Sequence, residues 1–412
     1  MIKVLLVDDD PVVLRLYQRG LAQRGLQVDT ATDGLGAVKA LRQSRPDVAV
    51  LDLMMPNFSG VEVLKFIRAD AALKDLPVIV LSNAYMNDLA RDAAVVGAQK
   101  ALLKVSCSPG LLHDCILEVV EGASLEVEPS RLVAAPALIP KPESVTPAPP
   151  AADQAPVPAP LAAPADKEGD EFRTQAREDF MIHARATSAA LRQLFDAFTQ
   201  FQSDHDRANR LEALFRKVHY LTAMAGLADC HLLAQMASVF EAMLYQVMDK
   251  PTHITPSVLH TAGMAVEFLE RLLRQAPGPQ ASPLTAAQVL VVDDDSLSNR
   301  LVVTALRQVQ LQARSTQDPL IGLQWLQEKR YDLVLLDIAL PKIDGFEFYR
   351  RLRTLPGYQE TPVIYVTAYT DFEARAKALV AGGDDVIAKP VLPTELAVKV
   401  VMHLMKKIPG QA

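Results

Sequence analysis

DVAVLDLMMPNFSG, residues 47–60, and DLVLLDIALPKIDG, residues 332–345, decide the fold. Each is an unbroken apolar run that ends in one acid, followed by a proline turn and a glycine. Such a run, without polar alternation, marks a strand buried on both faces of a parallel sheet. The acids, Asp52 and Asp337, then fall at strand carboxyl ends, where open α/β sheets carry their chemistry.

Working outward, the surroundings repeat as well. VLLVDDD at 4–10 answers VLVVDDD at 289–295, and LPVIVLS at 76–82 answers TPVIYVT at 361–367. Asp8 and Asp293, Asp52 and Asp337, Pro56 and Pro341, Gly60 and Gly345, Ser82 and Thr367, and Lys104 and Lys389 all stand 285 residues apart. A constant offset over so long a stretch means one domain present twice. Amphipathic segments such as PVVLRLYQRGLAQRG separate the apolar runs. This βαβ alternation predicts two doubly wound α/β domains with helices on both faces of each sheet.

Proline divides the rest. Of 28 Pro, 11 fall between Pro129 and Pro164, interleaved with Ala. That composition cannot bury a periodic face and favours an extended, mobile tether. A shorter break is QAPGPQASPLTAA, 275–287. The expected organisation is a domain at 1–123, a linker at 124–168, a helical bundle at 169–275, a linker at 276–287 and the second copy at 288–408. Within the middle block, helices are expected over about 169–202, 206–226, 229–248 and 256–275.

Lys plus Arg is 42 against 49 for Asp plus Glu, a net charge of -7 over 412 residues. That excludes a sequence-independent nucleic-acid binder. No apolar stretch approaches the ~20 residues of a membrane helix, and no signal peptide is evident. A cytoplasmic protein without nucleic-acid or membrane partners is expected. Three scattered cysteines, Cys107, Cys115 and Cys230, argue against a disulfide framework and suit buried thiols.

In each copy three carboxylates, a hydroxyl and an ammonium converge on the strand ends: Asp8, Asp9, Asp52, Ser82 and Lys104, then Asp293, Asp294, Asp337, Thr367 and Lys389. The acids would repel one another without a cation, and hard oxygen ligands suit Mg²⁺. A carboxylate on such a metal, beside Lys and Ser/Thr, can attack phosphorus.

These residues resemble the receiver domains of two-component response regulators, over essentially all of both blocks. The resemblance implies that Asp52 and Asp337 accept phosphate. Asp9 and Asp294 would ligate Mg²⁺, Asp8 and Asp293 would act largely through water, and the carbonyls of Met54 and Ala339 would complete the set. Ser82 or Thr367 would hydrogen-bond the phosphoryl group, and Lys104 or Lys389 would pair with it. There are departures. Ala101 and Val386 stand where the family carries an aromatic switch, which weakens the expectation of readout through a swinging ring. Asn83 and Val105 depart in the first copy, whereas Ala368 and Pro390 conform in the second. The second copy is therefore expected to be the more ordinary acceptor.

The middle block carries LEALFRKVHYLTAMAGL, 211–227, with an apolar stripe of Leu211, Leu214, Phe215, Val218 and Leu221. His219 falls on the flank of that stripe, with small Ala223 and Gly226 beside it, leaving room for another protein to approach the ring. Imidazole is well suited to exchange phosphoryl groups near neutral pH. His183, His205, His231, His253 and His260 lack this setting or are not distinguished by it. The run FRKVH, with Ala225, Gly226, Leu233 and Glu241, is similar to the histidine phosphotransfer domain of chemotaxis kinases. That resemblance implies His219 as a candidate phosphohistidine and Glu241 as the residue orienting its ring. The family's lysine three positions on is Thr222 here, and the following Gly is Ala223. Position 222 is expected near the surface flank, where a lysine could snorkel outward.

The sequence thus reads as a Mg²⁺-dependent phosphorelay protein with no kinase, DNA-binding or cyclase block. Its expected partners are a sensor kinase or phosphotransfer protein as donor and a downstream protein. It reads as a phosphoacceptor rather than a turnover enzyme. The main alternative is a non-catalytic scaffold whose helical block only docks proteins while the receivers switch affinity. A third is an unrelated Mg²⁺-dependent phosphatase.

Overall fold

The structure is a computed structural model. It describes residues 1–55, 58–82, 93–104, 107–121, 167–201, 203–275, 283–367 and 383–408. The Pro/Ala tether at 124–166, Pro56, Asn83, Val105 and Ala368 lie outside them, as does the side chain of Thr367.

In the first domain, strands β1 (Lys3–Val7), β2 (Gln27–Ala31), β3 (Val48–Asp52), β4 (Val78–Ser82) and β5 (Lys100–Leu103) form a sheet ordered β2-β1-β3-β4-β5. All four pairings are parallel. In the last domain, β6 (Gln288–Val292), β7 (Gln312–Thr316), β8 (Leu333–Asp337), β9 (Val363–Thr367) and β10 (Asp385–Ala388) give the same order, β7-β6-β8-β9-β10. The chain reverses its direction of winding between β1 and β3, and again between β6 and β8. That leaves a crevice beyond the strand ends at the Asp8/Asp52 and Asp293/Asp337 positions.

Local chemistry explains the turns around that crevice. The third acid of each DDD is a helix cap. Asp10 accepts from the backbone of Val12 and Val13 to start α1 (Pro11–Ala22), and Asp295 accepts from Leu297 to start the equivalent helix of the last domain. Helices α2 (Gly34–Gln43) and α3 (Gly60–Ala69) follow, the latter opened by a reciprocal Ser59–Glu62 capping box. Gly60 and Gly345 are obligatory for space: a Cβ at either would overlap the carbonyl oxygen of Asp52 or Asp337. The first domain closes with α4 (Pro109–Val120).

Between the two domains lie α5 (Lys167–Thr199), α6 (Asp204–Leu227), α7 (His231–Asp249) and α8 (Pro256–Arg274), close to the expected helices. α6 packs between α5 and α7, and α8 packs on α5 and α7. The last domain adds α9 (Ser296–Gln308), α10 (Pro319–Glu328), α11 (Gly345–Thr354) and α12 (Pro393–Lys406). α12 lies against α7 and α8 of the helical segment as well as against α9. One apolar cluster accordingly runs from Leu6 and Tyr17, through Leu214, Val218 and Phe240, to Val289 and Val400. The far faces of the two sheets have separate cores.

At the end of the break at 276–287, Leu284 and Ala287 are buried in the shared core. One expectation needs correction: Thr222 is not near the surface. It is fully buried, since helices cover α6 on both sides, and its hydroxyl donates to the Val218 carbonyl at 3.0 Å. The three cysteines are free and buried, as expected.

Candidate functional site: two acidic pockets and a histidine

The first pocket forms where β1, β3, β4 and β5 end. Asp8, Asp52, Ser82 and Lys104 are all buried there. The Lys104 ammonium lies 2.8 Å from Asp8 Oδ2 and 2.8 Å from Asp52 Oδ2. The other oxygens are held by backbone: Asp10 N–H donates to Asp8 Oδ1 at 3.0 Å, and Met54 N–H donates to Asp52 Oδ1 at 3.2 Å. Tyr17, which no sequence motif marks, donates its buried hydroxyl to the Cys107 carbonyl at 2.7 Å, tying down the chain just after Lys104.

His219 enters this pocket from α6. The ring is 3% exposed, so the open flank expected for it is in fact covered by the first domain. Its Nδ1 lies 2.7 Å from Glu241 Oε1 on α7, and Phe215 stacks one turn before it with ring centroids 5.9 Å apart. Its Nε2 lies 3.5 Å from Asp52 Oδ2, 3.9 Å from Asp9 Oδ1 and 3.3 Å from Lys104 Nζ. The residues singled out in two separate blocks therefore meet.

The electrostatics follow from burial and from these partners. Burial pushes Asp8 up to about 6 against the pull of Lys104, and it raises Asp9 too. Burial also works against charge on Asp52, but Lys104 and His219 outweigh it and hold the carboxyl below its ordinary range. Lys104 is desolvated, yet Asp52 and Asp8 keep it firmly protonated. For His219, burial and Lys104 favour the neutral ring; Glu241 and Asp52 overcome them and raise its pKa well above the ordinary value.

The second pocket has the same frame. Lys389 Nζ lies 2.6 Å from Asp337 Oδ2 and 2.9 Å from Asp293 Oδ2, and Ala339 N–H donates to Asp337 Oδ1 at 3.1 Å. Asp337 and Asp293 hold the lysine charged despite partial burial. Thr367 ends β9 at the position Ser82 occupies in β4. Sequence reasoning missed two supports here: Ser298 Oγ donates to Asp293 Oδ2 at 2.6 Å, and Asn299 Nδ2 donates to the Asp293 carbonyl at 2.5 Å. A Ser-Asn pair one turn after the acids was the available signal.

The carboxylates suit a hard cation. One oxygen each of Asp293, Asp294 and Asp337 lie within 4.8 Å of one another; in the first pocket ligand atoms of Asp9 and Asp52 lie equally close, with a nitrogen of His219 sharing the cluster. Among the described residues none donates a hydrogen bond to the buried Asp9 Oδ1, an arrangement a bound cation would satisfy.

Comparison with known proteins agrees with this geometry. The model of the response regulator receiver domain matches residues 4–116 and 289–401, more than half of the chain. The chain belongs to the response regulator receiver family. Among curated receiver proteins, it is 42% identical over 113 residues to the cyclic di-GMP phosphodiesterase response regulator RpfG of Xanthomonas campestris, a match covering 26% of this chain and 29% of that one. It is 38% identical over 121 residues to the transcriptional regulatory protein SpaR of Bacillus subtilis, covering 29% of this chain and 53% of that one. The chain therefore spans about half or less of the length of these relatives. A solved receiver structure, the chemotaxis response regulator CheY4 of Vibrio cholerae, is 27% identical, with 29% of this chain and 98% of that one covered and a TM-score of 0.27.

The two outer blocks are thus receiver domains of two-component signalling, a class phosphorylated by histidine kinases or phosphotransfer proteins and typically binding Mg²⁺ at its acidic pocket. Among the described residues, no helix is long and apolar enough to cross a membrane.

Proposed function

We propose that this chain is a phosphorelay protein that transfers phosphoryl groups within itself, between Asp52 of the N-terminal receiver and His219. The helical segment reads as a histidine phosphotransfer bundle at 169–275, and Asp337 reads as the acceptor of the C-terminal receiver. One observation carries the proposal: His219 Nε2 faces Asp52 Oδ2 at 3.5 Å while Glu241 holds Nδ1. A phosphoryl group on Asp52 would lie against Nε2.

The transfer balances simply. The reactive form is the neutral ring: once the Nε2 proton that Asp52 and Glu241 favour has been released to solvent, and with Nδ1–H donating to Glu241, the Nε2 lone pair attacks phosphorus. The N–P bond forms, the P–O bond to Asp52 breaks, and the carboxylate leaves with the electron pair beside Lys104. The reverse step releases neutral imidazole. Glu241 fixes the tautomer, and holding the two reacting groups together supplies the orientation that a collision would lack. Asp8, Asp9 and Asp52, with the Met54 carbonyl, would hold Mg²⁺ in one pocket; Asp293, Asp294 and Asp337, with the Ala339 carbonyl, would hold it in the other. The metal would supply charge neutralisation on the transferring group. Ser82 and Thr367 are placed in sequence to hydrogen-bond that group.

The test is phosphosite mapping of the full chain after incubation with phosphoramidate and Mg²⁺. Acid-labile, alkali-stable phosphate on His219 is expected beside acylphosphate on Asp52, and His219→Gln should remove only the former. Acylphosphate alone, even with a cognate donor, would favour the scaffold reading, which the burial of His219 under the receiver also suits.

A further inference from the structure

We infer that the phosphohistidine site is composite: Lys104 of the N-terminal receiver is the cation that serves a phosphoryl group on His219, so His219 holds phosphate well only while that receiver is docked. This rests on the transfer reading above and adds a dependence of one domain's modification on another domain's side chain.

A phosphoryl group brings about −1.5 to −2 charges. On Nε2 it would enter a pocket already lined by Asp8, Asp52 and Glu241, all buried, and by Asp9 at its edge. Little water reaches this site to screen them, so an uncompensated anion there would be costly. The cations of α6 are engaged elsewhere. Arg216 pairs with Glu212 at 2.6 Å, and Lys217 lies over the Tyr220 ring at 4.6 Å. One turn beyond the histidine, position 222 offers a threonine hydroxyl turned back to its own helix.

Lys104 fills that gap. Its side chain is 2% exposed, with Nζ 3.3 Å from His219 Nε2 and 2.8 Å from Asp52 Oδ2. An ammonium has three donors. Here two face the carboxylates of Asp8 and Asp52, and the third is free to face the ring nitrogen. One preorganised charge thus touches both ends of the transfer path and need not move as phosphorus passes between them. Undocking the receiver would strip the phosphohistidine of this partner.

The experiment uses the full chain with Asp52→Asn, which blocks acylphosphate on the first receiver while keeping the size of the side chain. Phosphoramidate is the donor, and phosphohistidine is read by acid lability and by its ³¹P resonance. Lys104→Met added to Asp52→Asn should lower phosphohistidine yield or lifetime at least tenfold. Lys104→Arg should restore most of it with a displaced ³¹P shift, which a merely structural role would not produce. Solution scattering checks that the receiver remains docked in each variant. Equal phosphohistidine with Met or Lys at 104, the receiver still docked, overturns the composite site and leaves the transfer reading standing. Absence of phosphohistidine from the Asp52→Asn chain and from wild type alike overturns both. If wild type labels but Asp52→Asn does not, phosphohistidine lifetimes after donor removal are compared in wild type, Lys104→Met and Lys104→Arg. A lifetime shortened by Met and restored by Arg supports the composite site, and equal lifetimes overturn it.

Discussion

The two receivers share strand order, pocket chemistry and a constant offset, yet they meet the helical segment with different faces. On the N-terminal receiver the α1 side is covered. Val12 and Leu16 are half-buried against the shared core, and Lys217 and Tyr220 of α6 lie within electrostatic reach of Asp10. On the C-terminal receiver the corresponding residues, Leu297 and Leu301, are 59% and 51% exposed. That receiver instead buries its last helix, α12, against α7 and α8. Glu395 there accepts from Ser257 at 2.6 Å and Thr261 at 3.0 Å. Duplication supplied two equal scaffolds; the surfaces around the pockets made one closed and the other open.

A reversed ion pair marks the same divergence. Lys100 and Glu118 pair between β5 and α4, both partly exposed. At the equivalent positions Asp385 lies 3.1 Å from His403, and it gains a further partner in Lys399 at 2.5 Å, all buried because α12 is covered from both sides. A buried ion pair is worth little until one partner is lost, and then its removal is costly.

The largest expected effect concerns access. Asp52 is sealed under His219, whereas the pocket of Asp337 opens through exposed Asp294. A small donor should therefore label Asp337 at least tenfold faster than Asp52 in the first minutes, read by site-resolved mapping. Equal initial rates would erase the distinction between closed and open pockets. Next, Asp294→Ala should weaken Mg²⁺ binding and acylphosphate formation at Asp337 by roughly tenfold or more, through loss of a charged ligand. Calorimetric titration and labelling would check it, and undiminished labelling of Asp337 would sink the pocket assignment.

Stability comes third. Asp385→Asn should cost about 3–5 kcal/mol in urea unfolding, while Glu118→Gln at the exposed twin should cost about 0–1 kcal/mol. Similar losses would mean that burial does not separate the two pairs. The pH dependence has a definite sign. Burial works against the Asp385 charge, but His403 and Lys399 outweigh it, holding the carboxyl below its ordinary 3.8. Its contribution is complete above that value and is lost as pH falls through the depressed one, so the wild-type advantage over Asp385→Asn should shrink only in that acid range. The smallest effect is at the bare face: Leu297→Ser should change stability by no more than about 0.5 kcal/mol. Leu16→Ser should exceed that and loosen the docked receiver, as scattering would register.

Much of this is legible from residues alone. Apolar runs ending in acids mark the strands, because a strand buried on both faces has no room for polar alternation. The 285-residue offset reveals the repeat, and the third acid of each DDD lies where a cap is needed. His219 and the two acid sets stand out by residue type and spacing, whereas Glu241 is marked only by the resemblance to histidine phosphotransfer domains. Position 222 defeats the same reasoning, because helical periodicity tells which residues share a face but not how many neighbours will cover it. The meeting of His219 with Asp52 is equally out of reach: an apolar stripe demands burial without naming the surface that provides it. Local order follows from backbone sterics and short-range hydrogen bonds, which the sequence by itself determines. Which domain covers the histidine, and which face of each receiver stays open, depends on contacts between residues far apart in the chain, and those only the tertiary structure decided.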